Sequence, residues 1–143
     1  MPKGKAHKVI GTAVGMAVAT GYSYCVERDS ANAWQYALGG GLGGYTMARL
    51  ADILEPVEIL GPNHRGVFHG VALNGGMTAV AYKPSKEFLK YLIDKSRALD
   101  RNDENFKAML YRIMAGFVIG ALGGHVSHLV ADSTTPMGLP LLY

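Results

Sequence analysis

An all-α bundle, rich in Gly and Ala and built from about four main helices plus one charged amphipathic helix, is the fold this sequence predicts, in association with a membrane. Three observations carry that expectation. Charged residues make up only 17% of the 143, against 49% hydrophobic residues and a mean hydropathy of +0.12, whereas soluble domains carry roughly 25% charge. The charges also avoid four stretches of nearly equal length, Val9–Val26 (18 residues), Ser30–Ala48 (19), Gly66–Tyr82 (17) and Ile113–Ala131 (19), close to the ~20 residues that a membrane-spanning helix needs. No strand-type alternation occurs.

Composition excludes several classes. Disorder requires low hydrophobicity and high charge, and neither holds. The lone Cys25 rules out a disulfide framework and a Cys-based zinc site. A net charge of +3 does not by itself point to nucleic acid. The 19 glycines suit close helix packing in a bilayer, and a tightly packed soluble core is the competing reading. The length fits one helical domain over residues 1–143.

The first helix is expected over about Lys5–Cys25, with Glu27-Arg28-Asp29 as the turn. Lys3, Lys5 and Lys8 ahead of an apolar run, with Ala17-Val18-Ala19 behind, resemble a secretory signal; we read a retained first helix. The second helix starts near Ser30, a good N-cap type, and runs to about Leu54. Gly39-Gly40-Gly41 and Gly43-Gly44 threaten to break it, because each Gly costs up to ~1 kcal/mol relative to Ala. Glu55-Pro56 through Gly61-Pro62-Asn63 reads as a loop. A third helix follows from about His64 to Tyr82, with Gly75-Gly76 as an interruption point.

Beyond Lys83-Pro84 the composition shifts. Residues 83–112 hold eight Lys/Arg and five Asp/Glu and read as a charged, solvent-exposed insertion between the third and last main helices. Ser85 would cap its amphipathic helix, whose apolar face carries Phe88, Leu89, Leu92 and Ile93. Asp103 would cap a last helix to about Asp132, and the Pro-containing tail 134–140 cannot extend it. With acids interleaved and only Tyr82, Phe88, Tyr91, Phe106 and Tyr111 to stack, this insertion is a poor nucleic-acid surface.

Residues able to do chemistry are few. His128 and Asp132 lie four apart on the last helix, hence on one face, where imidazole and carboxylate can share a divalent ion; His125 is near the same stripe. A single match of this kind is a weak motif. Read singly, His7 is a solvated terminal residue, Asp52 a helix-end polar group, and His64, Arg65 and His69 the opening of the third helix. Connectivity changes the balance. If four antiparallel helices follow the uncharged stretches, His7, Asp52, His64, His69, His128 and Asp132 fall at one end of the bundle. Glu27–Asp29 and Lys83–Arg112 fall at the other, which has no histidine. A donor set of His and carboxylate without Cys suits zinc, with manganese or iron as alternatives.

Three blocks then resemble a family. They are Leu50-Ala51-Asp52-Ile53-Leu54-Glu55-Pro56, His64-Arg65-Gly66-Val67-Phe68-His69, and Gly124-His125-Val126-Ser127-His128 continuing through Asp132 to Leu142. In order and spacing these are similar to the YdjM-like, membrane-bound, metal-dependent hydrolases, themselves similar to the zinc-dependent phospholipase C and P1 nuclease group. The resemblance spans most of the chain, and the last block is its most specific part. Ala51 stands in place of the family proline, Leu54 in place of a second acid, and Phe68 and Gly70 differ beside the central His69.

The resemblance implies a metal-dependent hydrolase acting on phosphoesters. Asp52, His69, His128 and Asp132 would ligate a divalent metal, zinc first, with His7 and Asp132 completing a second site. Asp52 would orient or deprotonate water, Arg65 would offset phosphoryl charge, and His64 and His125 would hold the ligands in place. Membrane lipid and a phosphoester substrate are the expected partners, with a homo-oligomer as a further option. Lys3, Lys5 and Lys8 ahead of the first span place the metal end in the cytoplasm, although the basic 83–112 segment opposes that orientation. The alternative is a non-catalytic helical membrane or assembly protein that retains the scaffold.

Overall fold

A computed structural model describes the backbone of residues 3–54 and 71–133, and the side chains of 8–50, 80 and 82–130. Four α-helices are present among the described residues: α1 (Lys3–Tyr22), α2 (Ala33–Leu54), α3 (Val71–Asp100) and α4 (Asn105–Ser133). The all-α expectation holds.

Between α1 and α2 the chain widens into a π-helical turn over Ser23–Glu27, closed by Arg28 in the left-handed region (φ 54°). The Ser23 carbonyl accepts the Asp29 N–H at 3.0 Å, and the Ser23 hydroxyl donates to the Asp29 carbonyl at 2.7 Å. The Asp29 carboxylate in turn accepts the Asn32 backbone N–H at 3.3 Å. These bonds satisfy amides that a helix start leaves orphaned, and they place the start of α2 at Ala33 rather than at the expected Ser30 cap.

Helix α2 reaches Leu54 as expected and is continuous through the glycine run that threatened to break it. Packing gives the reason. A Cβ on Gly44 would lie 2.9 Å from the Gly11 carbonyl carbon, and one on Gly124 would lie 2.5 Å from the Gly44 Cα. Gly39 and Gly43 abut the Ile113 and Phe117 carbonyls of α4, and Gly40 abuts Gly15 of α1. Both neighbours therefore touch the α2 backbone itself. The dispersion gained in contacts this close offsets the propensity cost of each Gly.

The register follows directly. Gly11 and Gly15 of α1 meet Gly44 and Gly40 of α2, so these helices are antiparallel; Gly116, Gly120 and Gly124 of α4 meet Tyr36, Gly40 and Gly44, so α2 and α4 run parallel. Helix α3 packs mainly on α4. Leu92, Ile93, Tyr36, Ala19, Ala115 and Ile119 form the buried core, with Tyr22, Leu89, Tyr111 and Val118 against it.

Two sequence boundaries are corrected. The expected third helix and the separate charged helix are one element, because α3 runs through Pro84 to Asp100, and Ser85 lies inside it rather than at a cap. Residues 83–112 thus comprise the second half of α3, a turn and the first turns of α4. Asp103 does not cap α4 either: it occupies the turn at φ 59°, where the Glu104 N–H donates to the Leu99 carbonyl at 3.0 Å.

On α4 the distribution of side chains departs from a soluble protein's. On α4, Leu110, Met114, Phe117, Leu122, Val126 and Val130 face outward, while Arg112, Gly116, Gly120, Gly124 and His128 are buried. Large apolar side chains outside, with small and polar ones between helices, is the pattern of helices packed in lipid. Thr12, Thr20 and Thr46 turn their hydroxyls back onto carbonyls four residues earlier, at 2.7–2.8 Å, which leaves no free donor on those faces. Two segments, Lys8–Glu27 and Asn105–Val130, are long and apolar enough to cross a membrane. Among the described residues, two of the four uncharged stretches of the sequence thus lie in segments that meet this length and composition.

Candidate functional site

Three buried stripes with four-residue spacing run along the described bundle: Gly11, Gly15 and Ala19 on α1, continued by Ser23 of the π-turn; Tyr36, Gly40, Gly44 and Ala48 on α2; Arg112, Gly116, Gly120, Gly124 and His128 on α4. Because Gly11, Gly44 and Gly124 are level, the start of α1 and the ends of α2 and α4 share one end of the molecule. His128 is there, 2% exposed and not without a partner, as a buried imidazole requires. Ser127 beside it donates to the Gly124 carbonyl at 2.8 Å, and His125 is half-buried one turn earlier.

The other expected site residues divide into two groups. His7, Asp52 and Asp132 lie on described helical backbone, but their side chains are outside the described residues; His64, Arg65 and His69 are outside them altogether. Among the described residues, no group of three or more His, Cys, Asp or Glu is placed to hold a metal ion. Of the expected site residues, the described side chains are those of His128 and His125.

The opposite end holds a polar site that sequence reasoning did not single out. Arg112, 6% exposed, pairs with Asp100, with Asp29 (Nε to Oδ2, 3.4 Å) and with the Gln35 amide oxygen (Nη1 to Oε1, 3.4 Å). Asn32 Nδ2 donates to both Asp29 carboxylate oxygens at 2.9 and 3.1 Å, and Gln35 Nε2 donates to Asn32 Oδ1 at 3.0 Å. Arg97 of α3 binds Glu27 at 2.5 Å. These bonds join the π-turn, α2, α3 and α4 around a cleft of about 300 Å³ lined also by Arg28, Tyr36 and Ser96. A buried guanidinium is tolerated only when paired and hydrogen-bonded, and this one has two carboxylates and an amide. The signal was present in the sequence: Arg112 borders a 19-residue uncharged run, so a helix-packed Arg112 demanded an acidic partner, but only the closed bundle identifies which.

A family profile described as "YdjM inner membrane protein" matches residues 1–143, the full length given. Comparisons with curated proteins and with solved structures return no match.

Proposed function

The chain belongs to the YdjM inner membrane protein family, and from that premise we propose that it is a membrane-embedded, metal-dependent hydrolase of phosphoester bonds. The single observation that supports this most is His128, buried at one end of the three close-packed stripes. By helical spacing alone, the next positions along those stripes are His7 before Gly11, Asp52 after Ala48, and Asp132 after His128. The donor types suit a divalent ion, zinc foremost, and His69 would add a further imidazole.

In this reading a bound cation supplies Lewis acidity and lowers the pKa of water toward 7. Asp52 accepts the proton or orients the nucleophile, Arg65 balances phosphoryl charge, and His64 and His125 hold the ligands in orientation. The positive residues Lys3, Lys5 and Lys8 support a cytoplasmic metal end. Asp132→Asn tests the reading, since it keeps size and hydrogen bonding and removes the charge. Phosphodiesterase activity of the detergent-purified protein should vanish while helical circular dichroism stays at the wild-type level. A variant as active as wild type would refute the reading.

One observation favours a second reading. Leu54 stands where the resembling pattern has a second acid, so the same scaffold can serve as a non-catalytic membrane or assembly protein. Wild-type protein that binds no metal and hydrolyses no phosphodiester would select it.

A further inference from the structure

The cleft at the end opposite His128 has a charge arrangement that its internal ion pairs do not consume. Arg112 is shared by Asp29 and Asp100, two carboxylates on one guanidinium, so this trio keeps one negative charge. Glu27 and Arg97 neutralise each other. Arg28, exposed at the rim, makes no ion pair among the described residues. The lining therefore presents one surplus negative group and one unpaired cation in the same cleft. A second, independent feature points to a ligand. Tyr36 lines the cleft at 1% exposure, and among the described residues no hydrogen bond reaches its hydroxyl. Such a group costs roughly 1–3 kcal/mol unless satisfied.

We propose that this cleft binds a compact zwitterion carrying an ammonium and a phosphate group. The ammonium would sit against Asp29 and Asp100, the phosphate against Arg28, and the Tyr36 hydroxyl would donate to a phosphate oxygen. A ligand of single charge would leave either the carboxylate surplus or Arg28 uncompensated, whereas a zwitterion of no net charge satisfies both. Position bears on the source. Glu27 ends one segment long and apolar enough to cross a membrane, and Arg112 lies two turns into the other, Asn105–Val130, so the cleft lies toward the same end of both segments. An ethanolamine-phospholipid headgroup reaches this level, and free phosphoethanolamine carries the same chemistry. The site is independent of the metal end.

Thermal unfolding of the full chain, purified in detergent, tests the proposal with phosphatidylethanolamine, free phosphoethanolamine, phosphatidylglycerol and inorganic phosphate as probes. At least one ethanolamine compound should raise the melting temperature, and phosphatidylglycerol and phosphate should not. Stabilisation by the phospholipid alone assigns a lipid headgroup; stabilisation by the free compound assigns a soluble ligand. Arg28→Gln and Tyr36→Phe, which leave the Arg112 network intact, should each weaken binding by about tenfold. The proposal fails if neither ethanolamine compound stabilises the protein, if phosphatidylglycerol does so equally, or if both variants bind like wild type.

Discussion

Glycine at one position in this bundle is not interchangeable with glycine at another. Gly120 rests on the Gly40 backbone, where a Cβ would lie 2.6 Å from the carbonyl carbon, whereas Gly21 has open space around its Cβ direction. Gly120→Ala should therefore destabilise the fold by about 1–3 kcal/mol through overpacking. Gly21→Ala should be neutral or stabilising by up to about 1 kcal/mol, the ordinary helix-propensity gain. Equilibrium unfolding of both variants in mixed detergent checks the pair, and equal effects would contradict the close-contact account. The sequence displayed the glycines, but propensity counts each one as a helix breaker. Their role depends on which helix lies opposite, and that is decided only by tertiary register. Arg112 was misread for the same reason. Within its own segment it is one charge in a solvated run, and its partners Asp29 and Gln35 come from the far side of the bundle.

Elements were legible in the sequence where charge and apolar periodicity agreed. The limits of α1 and α4 are recovered within a few residues, because long uncharged runs end at clear breakers. The errors lie at punctuation residues. Pro84, which lacks an amide and crowds the carbonyl four residues earlier, was a reasonable place to end a helix, yet α3 continues through it. Leu89, Leu92 and Ile93 anchor the segment that follows against the core, and Val80 on the preceding turn is exposed, so the ring and the unpaired carbonyl are accommodated on an outer face. Pro84→Ala restores the missing donor. It should raise unfolding stability by about 1–3 kcal/mol and increase helical ellipticity; a loss of stability would mean that the proline sets a bend the packing requires.

At the scale of the whole molecule, helices with small and polar interiors and apolar exteriors form a membrane bundle with two chemically distinct ends. One carries His128; the other carries the Arg112 network. The lone Cys25 is exposed near the second end. If the proposed metal end faces the cytoplasm, a membrane-impermeant maleimide should label Cys25 in intact cells; labelling only after permeabilisation would reverse the orientation. The gathering of histidines and acids at one end rests on helix order, and the level Gly11, Gly44 and Gly124 contacts bring together only the start of α1 and the ends of α2 and α4. The geometry of the expected metal site was not legible, because it depends on His7, Asp52, His69 and Asp132, whose side chains lie outside the described residues. The most direct test of the metallohydrolase account is therefore elemental analysis of detergent-purified wild type beside Asp132→Asn. The account predicts about one or two divalent ions per wild-type chain and clear loss in the variant. A wild-type chain free of metal, or equal metal in both proteins, would contradict it.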